Sequence, residues 1–251
     1  MSLSTIVITK NEEAAIGACL ASVDWADEII VVDSGSADRT VDLCRRYTDK
    51  VHVAADWHGF GPQKNRALAF ATGEWVLSLD ADERVTPELR REIEAAIADP
   101  GGRAAFAVPR RSSYCGRPML HSGWWPDYVI RLFRREKGRF SDDRIHERLI
   151  VDGSVGRLRQ PLIHEAFADL EEMLETMNRY STAGASAMHE RGKRATLAIA
   201  ILHGFWSFFH TYVVRAGFLD GREGFMLAVS NAEGTYYRYL KLMLLNKPGC
   251  P

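Results

Sequence analysis

Short apolar runs alternate with amphipathic stretches over the first hundred residues of the chain. The runs Ser4–Thr9, Glu28–Asp33 and Trp75–Leu79 are rich in large apolar side chains, which is typical of buried strands. Segments with helical spacing separate them. Strands that alternate with helices in this way indicate an α/β fold, with a mostly parallel sheet flanked by helices on both faces.

Several signals predict where the helices begin and end. Thr86 followed by Pro87 is an N-cap signal that opens a helix to about residue 98. Asn11 is expected to cap the first helix. Further helices are predicted over Asp38–Tyr47 and Gln63–Thr72.

The alternation ends between residues 112 and 162, where aromatic and arginine clusters surround short β-like pieces. Long helices are predicted over Asp169–Arg191 and 222–245. We therefore expect a first domain over 1–165, with a boundary inside it near residue 100, and a C-terminal helical extension over 166–251.

The segment Leu197–Phe218 is the main candidate for membrane contact, because 15 of its 22 residues are Ala, Val, Ile, Leu, Phe, Trp or Tyr. His203, His210 and Arg215 interrupt it, and a basic cluster precedes it. This combination favours an interfacial helix that lies on a membrane. A helix packed on the main domain and a true membrane span are the alternatives.

Composition limits the class of protein. The chain has 251 residues, is 46% hydrophobic and carries a net charge of −1, which excludes a wholly disordered chain and argues against a nucleic-acid binder. The near-zero charge hides a division, since residues 1–100 carry 18 acidic and 10 basic side chains and residues 101–160 carry 6 acidic and 13 basic. Four widely spaced cysteines and no secretory signal favour a cytoplasmic protein.

Acidic side chains follow three of the predicted strands. Ligands bind at the carboxyl ends of parallel strands, so Thr9–Glu12, Asp33–Ser36 and Asp80–Glu83 are expected at one site. Asp80 and Asp82 are two carboxylates one residue apart, and hard oxygen ligands of this kind suit Mg²⁺ or Mn²⁺, which in turn binds a diphosphate.

Asp33 and Lys64 are less specific signals. Asp33 can accept a hydrogen bond from a base or a ribose hydroxyl. The alternative is that Asp33 and Ser36 cap the following helix, and both interpretations can hold together. Lys64 can meet phosphate or be an ordinary solvated lysine. The chain has no Walker A motif and no GxSxG motif, and Gly59-Phe60-Gly61 lacks the third glycine of a dinucleotide-binding turn.

The segments TIVITKNEE, EIIVVDSGSADRT, QKNRAL and ATGEWVLSLDADE occur in the order and spacing of family 2 glycosyltransferases with the GT-A fold. The later segments GWWPDYVIRLFRR, RFSDDRIHERL and RAGFLDGREGF resemble the subgroup of bacterial lipopolysaccharide inner-core glucosyltransferases. Ala37 departs from the pattern, because relatives usually carry threonine there.

This resemblance implies a UDP-sugar donor, UDP-glucose in the subgroup, a divalent metal (Mn²⁺ or Mg²⁺) at Asp80 and Asp82, and transfer with inversion. It also implies that residues 1–100 bind the donor and 101–165 the acceptor. The nucleotide-sugar contacts that it implies are Thr9, Asn11, Glu12, Asp33, Lys64, Asp80 and Ala81.

Inverting transfer needs a base that deprotonates the acceptor hydroxyl. We expect Glu147 in this role and Asp143 as the second candidate. The alternative is that Glu147 only pairs with a neighbouring arginine. His146 and His164 are expected to complete the metal shell, since neutral imidazole joins carboxylates around Mn²⁺.

The basic block suggests an anionic acceptor, such as a lipid-linked saccharide of the lipopolysaccharide core. The residues expected to contact the acceptor are Trp124, Trp125, Tyr128, Arg131 and Arg134. We expect a peripheral enzyme on the inner face of the cytoplasmic membrane. Transfer to a protein or a polyprenyl phosphate, and a non-catalytic nucleotide-sugar-binding protein, are the alternative functions.

Overall fold

Residues 1–142 and 147–246 are described by a computed structural model of the chain. They form two units: Met1–Arg110 with Asp127–His164, and Arg111–Pro126 with the chain from Glu165 onward. In chain order the elements are β1 (Leu3–Thr9), α1 (Ile16–Ala21), β2 (Glu28–Asp33), α2 (Thr40–Cys44), β3 (Val51–Val53), α3 (Phe60–Phe70), β4 (Trp75–Asp80), β5 (Glu83–Val85), α4 (Pro87–Ala98), β6 (Ala105–Tyr114), β7 (Arg117–Pro118), β8 (Asp127–Arg134), β9 (Gly138–Phe140), β10 (Leu149–Val151), β11 (Val155–Arg157), β12 (Leu162–Phe167), α5 (Leu170–Glu190), α6 (Leu197–Phe209) and α7 (Gly221–Leu245).

The three predicted strands and the short strand β3 form the parallel part of the sheet, in the order β3-β2-β1-β4. In β1, Ile6 lies opposite Ile30 of β2 on one side and Ser78 of β4 on the other. Every residue of β1 and β2 is buried, as expected for strands that are covered on both faces. The predicted parallel α/β sheet is confirmed in this part of the unit.

Helices cover both faces of these strands. Val7 of β1 packs in one apolar cluster with Leu20 of α1 and Ile93 of α4. Ile6, the neighbouring residue on β1, faces the other way and packs in a second cluster with Ala67 of α3. Successive side chains of a strand point to opposite faces, so the two clusters form one layer on each side of the sheet.

The sheet continues with antiparallel strands, which the sequence analysis did not predict. Strand β8 runs antiparallel to β4, with Trp75 opposite Arg134, and β6 runs antiparallel to β8, with Phe106 opposite Leu132. Both strands are longer than the short β-like pieces expected there. Their arginine and serine residues interrupt the apolar pattern, which is why the pattern indicated only fragments.

The second unit is built around helices. Asp169 caps α5 by accepting a hydrogen bond from the Glu172 backbone, and Thr196 caps α6 in the same way. Its largest apolar cluster contains Tyr114, Met173 and Leu227. The predicted long helices over 169–191 and 222–245 are confirmed within one residue at each end.

The segment that contains Asp220 has a structural role in this unit. Asp220 is 3% exposed and accepts hydrogen bonds from the backbone N–H groups of Leu120 and His121, both at 3.1 Å, and from the Ser122 hydroxyl at 2.9 Å. A buried carboxylate with this many donors fixes the loop that it binds.

Several boundaries differ from those predicted. Helix α2 is Thr40–Cys44, shorter at both ends than expected, and α3 is Phe60–Phe70, which begins three residues earlier than expected. Helix α1 begins at Ile16, because Asn11 has a left-handed φ of 55° and does not cap it. The apolar stretch over 197–218 is not one helix, since α6 ends at Phe209 and continues as a π-helical turn, His210–Val214. Residues 111–126 fall in the second unit, whereas the predicted boundary at 165/166 placed them in the first domain.

Candidate active site

The loops after β1 and β2 are bonded to each other through side chains. The Asn11 N–H donates to the Ser36 hydroxyl at 2.8 Å, and its side-chain oxygen accepts from the Ala37 N–H at 2.8 Å. The Glu12 N–H donates to the Thr40 hydroxyl at 2.8 Å. Asn11 tolerates left-handed backbone better than most residues, and that backbone allows both of its bonds to reach the second loop.

Asp33 shapes the second of these loops. One of its carboxylate oxygens accepts from the N–H groups of Gly35 and Ser36, both at 2.9 Å, and the other accepts from the Ser36 hydroxyl. Asp33 is fully buried. Asp33 therefore orders its own turn and does not cap the following helix α2, whose N-cap position is Arg39 without a side-chain cap. Its contact with a base or ribose stays a prediction.

Asp80 ends β4 and lies between two cations from distant parts of the first unit. Lys64 of α3 places its Nζ 2.9 Å from Asp80 Oδ1, and the Arg131 guanidinium of β8 pairs with Asp80 Oδ2. The Lys64 side chain is only 5% exposed, so the solvated-lysine interpretation is wrong. Burial raises the pKa of Asp80, but Arg131 and Lys64 outweigh it and hold that pKa well below its usual range.

Glu83 contacts both Asp80 and Arg131. It is fully buried, accepts from the Asp80 N–H at 3.0 Å and pairs with the Arg131 guanidinium. Burial raises the pKa of Glu83; the charge of Arg131 opposes this effect and the charge of Asp80 adds to it. Because Arg131 bonds to both carboxylates, it fixes the turn that carries Asp80 and Asp82.

Glu147 reaches the same cluster from the other side. Its Oε1 lies 3.0 Å from Lys64 Nζ, so Glu147 does not pair only with a neighbouring arginine, which was the alternative interpretation. The N–H of Ser141 donates to the Arg148 carbonyl at 2.9 Å, which closes the connection between β9 and β10. Ser141 is packed against α3, since a Cβ on Gly61 would lie 1.8 Å from the Ser141 carbonyl oxygen.

Asp82 is paired with His164 of β12, at 3.2 Å between Oδ2 and Nε2. Two of the predicted metal ligands thus lie next to each other. Asp143 and His146 lie outside the described residues. Within the ranges 1–142 and 147–246, no three His, Cys, Asp or Glu side chains are arranged to hold a metal ion.

A cavity of about 400 Å³ opens beside this cluster in the first unit. Lys64, Asp80 and Glu147 line it, together with Arg110, Arg131 and Arg148 and the apolar side chains around Ile130 and Phe140. Cations and carboxylates that converge on a concave surface are typical of a ligand site, and the loops of β1 and β2 belong to the same edge of the sheet.

The family profile described as "Glycosyl transferase family 2" matches residues 4–162 of this chain. The chain belongs to glycosyl transferase family 2. The motifs therefore predicted the family, the fold class and the glycosyltransferase activity correctly.

Two relatives cover nearly the whole chain. The lipopolysaccharide core biosynthesis glycosyltransferase LpsC of Rhizobium meliloti (strain 1021) is 32% identical over 243 residues, which is 92% of this chain and 88% of that protein. An uncharacterized glycosyltransferase of Rickettsia typhi is 28% identical over 256 residues, 97% of this chain and 87% of that protein.

Solved structures show the same fold. The crystal structure of S. aureus TarS 1-349 in complex with UDP has a TM-score of 0.52 and 18% identity, and it covers all of this chain and 92% of that one. Mannosyl-3-phosphoglycerate synthase from Rubrobacter xylanophilus also has a TM-score of 0.52 and 18% identity, over 76% of this chain and 74% of that one.

The five residues expected to bind the acceptor of this glycosyltransferase lie in different places. Arg131 is 8% exposed and paired as described, and Arg134 pairs with Glu74. Tyr128 is 38% exposed. Trp124 and the half-buried Trp125 belong to the second unit, where Trp124 packs near Phe167. All five acceptor contacts stay predictions.

Sequence reasoning placed Glu83 at this strand end, but it did not anticipate the ion pairs that Glu83 and Arg110 form in the glycosyltransferase site. Arg110 lies 2.7 Å from Asp127 and 3.8 Å from Glu83, so it extends the buried ion-pair network. Glu83 gave a signal, because a third carboxylate directly after Asp80-Ala81-Asp82 needs a cation if it is buried. Arg110 gave none, since its partners come together only in the folded sheet.

Proposed function

We propose that this glycosyltransferase moves a sugar from a UDP-sugar, UDP-glucose in the first instance, onto an anionic lipid-linked saccharide, with inversion at the anomeric carbon. The observation that carries the proposal is the cluster of Asp80, Lys64 and Glu147 on one cavity. That cluster places a cation between a strand-end carboxylate and a second carboxylate, which is an arrangement suited to a leaving diphosphate and an attacking hydroxyl.

The donor side of the proposal rests on the loops of β1 and β2. Thr9, Asn11, Glu12 and Asp33 stand at the strand edge where ligands of α/β sheets bind. The fold likeness to S. aureus TarS in complex with UDP supports UDP as the nucleotide of this chain too. In the proposal Asp33 orders the loop and Lys64 meets the diphosphate, with Ala81 in the turn beside it.

The donor chemistry of the site fits a divalent metal. Asp80 and Asp82 supply carboxylates, and the His164 imidazole adjoins Asp82, a set that suits Mn²⁺ and accommodates Mg²⁺. These three side chains would hold the ion once their present ion pairs give way, since the described residues contain no preformed set of three ligands, and His146 would be a further ligand. Once bound, the metal supplies charge stabilisation for the leaving diphosphate.

In the proposed mechanism Glu147 takes the proton of the acceptor hydroxyl. As the bond from the acceptor oxygen to the anomeric carbon forms, the bond from that carbon to the diphosphate breaks and UDP leaves. Lys64 adjoins Glu147, and an incoming diphosphate competes for its charge, which frees the carboxylate to act as base. Asp143 is the second candidate for this role.

The proposed acceptor is supported by the charge of the chain and by one relative. Residues 101–160 carry the basic excess, and the 32%-identical relative is named for lipopolysaccharide core biosynthesis. Tyr128, Arg131, Arg134, Trp124 and Trp125 remain the proposed acceptor contacts. A lipid-linked acceptor places the enzyme as a peripheral protein on the cytoplasmic face of the membrane.

The experiment is a panel of UDP-sugars with Mn²⁺ or Mg²⁺, read by UDP release and by thermal stabilisation of the protein. We expect one UDP-sugar, with UDP-glucose as the leading candidate, to give both UDP release and thermal stabilisation. We also expect a core saccharide acceptor to raise UDP release more than a polyprenyl phosphate or a protein does. A protein that responds to no UDP-sugar would refute the proposed donor.

The base assignment has its own test. Glu147→Gln is expected to lower acceptor-dependent turnover by about 10²-fold or more while the protein still binds the donor. Glu88→Gln, at an exposed glutamate of α4, is the control. Near-wild-type turnover in Glu147→Gln would show that another group is the base.

A further inference from the structure

The outer side of α6 is an apolar surface with large side chains exposed to solvent. The side chains of Leu202, Phe205 and Trp206 are 66%, 68% and 57% exposed. Spacing of three to five residues along the helix puts them in one stripe, which continues onto the π-helical turn. The α6 apolar face, as named here, consists of Leu197, Ile201, Leu202, Phe205, Trp206, Phe209, Val213 and Val214, each of them exposed.

The inner side of the same helix is packed on α7. Ala200 and Gly204 are its buried residues, and a Cβ on Gly204 would lie 3.1 Å from Tyr236 Cβ. The Ser207 hydroxyl donates to the Asn231 carbonyl at 3.1 Å. The small and polar residues of α6 therefore face protein, whereas its large apolar residues face outward.

This division bears on the three interpretations of the segment over 197–218. In the described part of the chain it is the one stretch long and apolar enough to cross a membrane, yet only 17% of it is buried, which excludes a core helix. A span would carry α7 into the hydrocarbon with it, and α7 bears Arg222, Glu223, Glu233, Arg238 and Lys241. A helix whose apolar face lies in the membrane interface and whose other face packs on α7 is consistent with both the exposure of α6 and the charged residues of α7.

Basic side chains flank the α6 apolar face at both ends. Arg191, Lys193 and Arg194 precede it and are exposed, and Arg215 and Arg222 follow it and are exposed too. Asp220 is the single acidic residue between 191 and 222, and it is buried in its bonds to the loop at 120–122. An exposed apolar stripe with a positive border is complementary to an anionic lipid headgroup layer.

We propose that the α6 apolar face inserts into the headgroup boundary of a bilayer that contains anionic phospholipid, with the flanking basic residues on the headgroups. The inference rests on the proposed function only for the identity of the acceptor. The occupant of the face is the lipid surface itself.

The test is sedimentation of the full chain with vesicles of phosphatidylcholine alone, or with about 30 mol % phosphatidylglycerol. The wild-type protein is expected to sediment with the anionic vesicles, and Leu202→Ser/Phe205→Ser to bind them at least about tenfold more weakly. The matched control is Leu170→Ser/Leu174→Ser, two exposed leucines of α5 that lie among Glu171, Glu172 and Glu175, and it should bind like wild type.

Charge reversal separates the basic border from the apolar stripe. Lys193→Glu/Arg194→Glu should abolish the preference for phosphatidylglycerol, and raised salt should weaken wild-type binding in the same direction. Arg45→Glu/Arg46→Glu, at an exposed pair in the first unit, is the control and should leave the preference unchanged.

Three results would overturn the inference: no binding of wild type to either vesicle, equal binding by the α6 double variant, or a dimer that this variant dissociates in the absence of lipid. UDP release from the donor in lipid-free solution is measured in parallel. A variant that loses vesicle binding but still releases UDP has a defect in membrane binding and leaves the proposed donor chemistry intact. Absent UDP release with intact vesicle binding counts against the proposed donor chemistry and leaves the membrane proposal intact.

Discussion

Asp33 and Asp80 end two parallel strands on either side of β1, yet the molecule uses the two carboxylates differently. Asp33 is fully buried, and its hydrogen bonds go to Gly35 and Ser36 in its own turn. Asp80 is 32% exposed, and its partners Lys64 and Arg131 come from other elements. One aspartate shapes a loop, and the other holds charge at the edge of a cavity.

The difference follows from where the partners lie in the sequence. The Asp-Ser-Gly-Ser turn supplies its own donors, so the carboxylate needs no partner from another element. Asp80 depends on α3 and β8, and its carboxylate keeps an accessible side toward the cavity. We conclude that a strand-end carboxylate is a stronger candidate for chemistry when its partners are distant cations than when they are local N–H groups.

The largest effect is expected from Asp80→Asn. Turnover measured as UDP release should fall on the order of 10³-fold, because the change removes the charge that the cations and the proposed metal share. Asp42→Asn, at an exposed aspartate of α2, is the control and should match wild type. An Asp80→Asn enzyme within a few-fold of wild type would remove Asp80 from the proposed active site.

The opposite end of β2 offers a second carboxylate for comparison, Glu28. Burial raises the pKa of Glu28, but hydrogen bonds from Lys50, Ser4 and Thr72 outweigh this and lower it from 4.5 to about 2. A lowered pKa stabilises the fold above the unfolded-state pKa, and that stability is lost as the pH falls toward 2.

Glu28→Gln should therefore reduce the free energy of unfolding by about 3 kcal/mol at pH 7, and the gap to wild type should narrow as the pH falls from 4.5 toward 2. Denaturant unfolding across this pH range is the measurement. Glu88→Gln should leave the curve unchanged. A gap that stays constant with pH would show that the lowered pKa of Glu28 does not stabilise the fold.

Gly61→Ala tests how the proposed base reaches Lys64. The added Cβ would lie 1.8 Å from the Ser141 carbonyl oxygen, so the Ser141 backbone must move. We expect a loss of about 2 kcal/mol in the free energy of unfolding, together with lower turnover. Gly17→Ala in α1 meets nothing within 4 Å and should be neutral or stabilising. Equal behaviour of the two variants would refute the close packing.

Asp33→Asn should have the smallest effect. The amide oxygen still accepts from Gly35 and Ser36, so we expect about 1 kcal/mol of lost stability and a smaller drop in turnover than in Asp80→Asn. Steady-state kinetics with the donor varied is the measurement. A larger loss of kcat/KM than in Asp80→Asn would reverse the ranking of the two aspartates.

Local signals predicted most of the first unit. The buried runs fixed β1, β2 and β4, and Thr86-Pro87 fixed the start of α4 within one residue. Asn11 was misjudged because its bonds to Ser36 and Ala37 depend on a second loop. The antiparallel strands, the support of Asp80 by Glu83 and Arg131, and the loop bound by Asp220 all depend on contacts between residues far apart in the sequence, which no local pattern encodes.

The most direct measurement of the central claim is calorimetric titration of UDP into wild-type protein and into Asp82→Asn, with and without Mn²⁺. We predict that wild type binds UDP more tightly with Mn²⁺, and that Asp82→Asn loses at least about tenfold of that affinity while its fold is intact. Two results would contradict the assignment of this edge of the sheet as the donor site. Either wild type binds no UDP, or wild type and Asp82→Asn bind UDP with equal affinity in the presence of Mn²⁺.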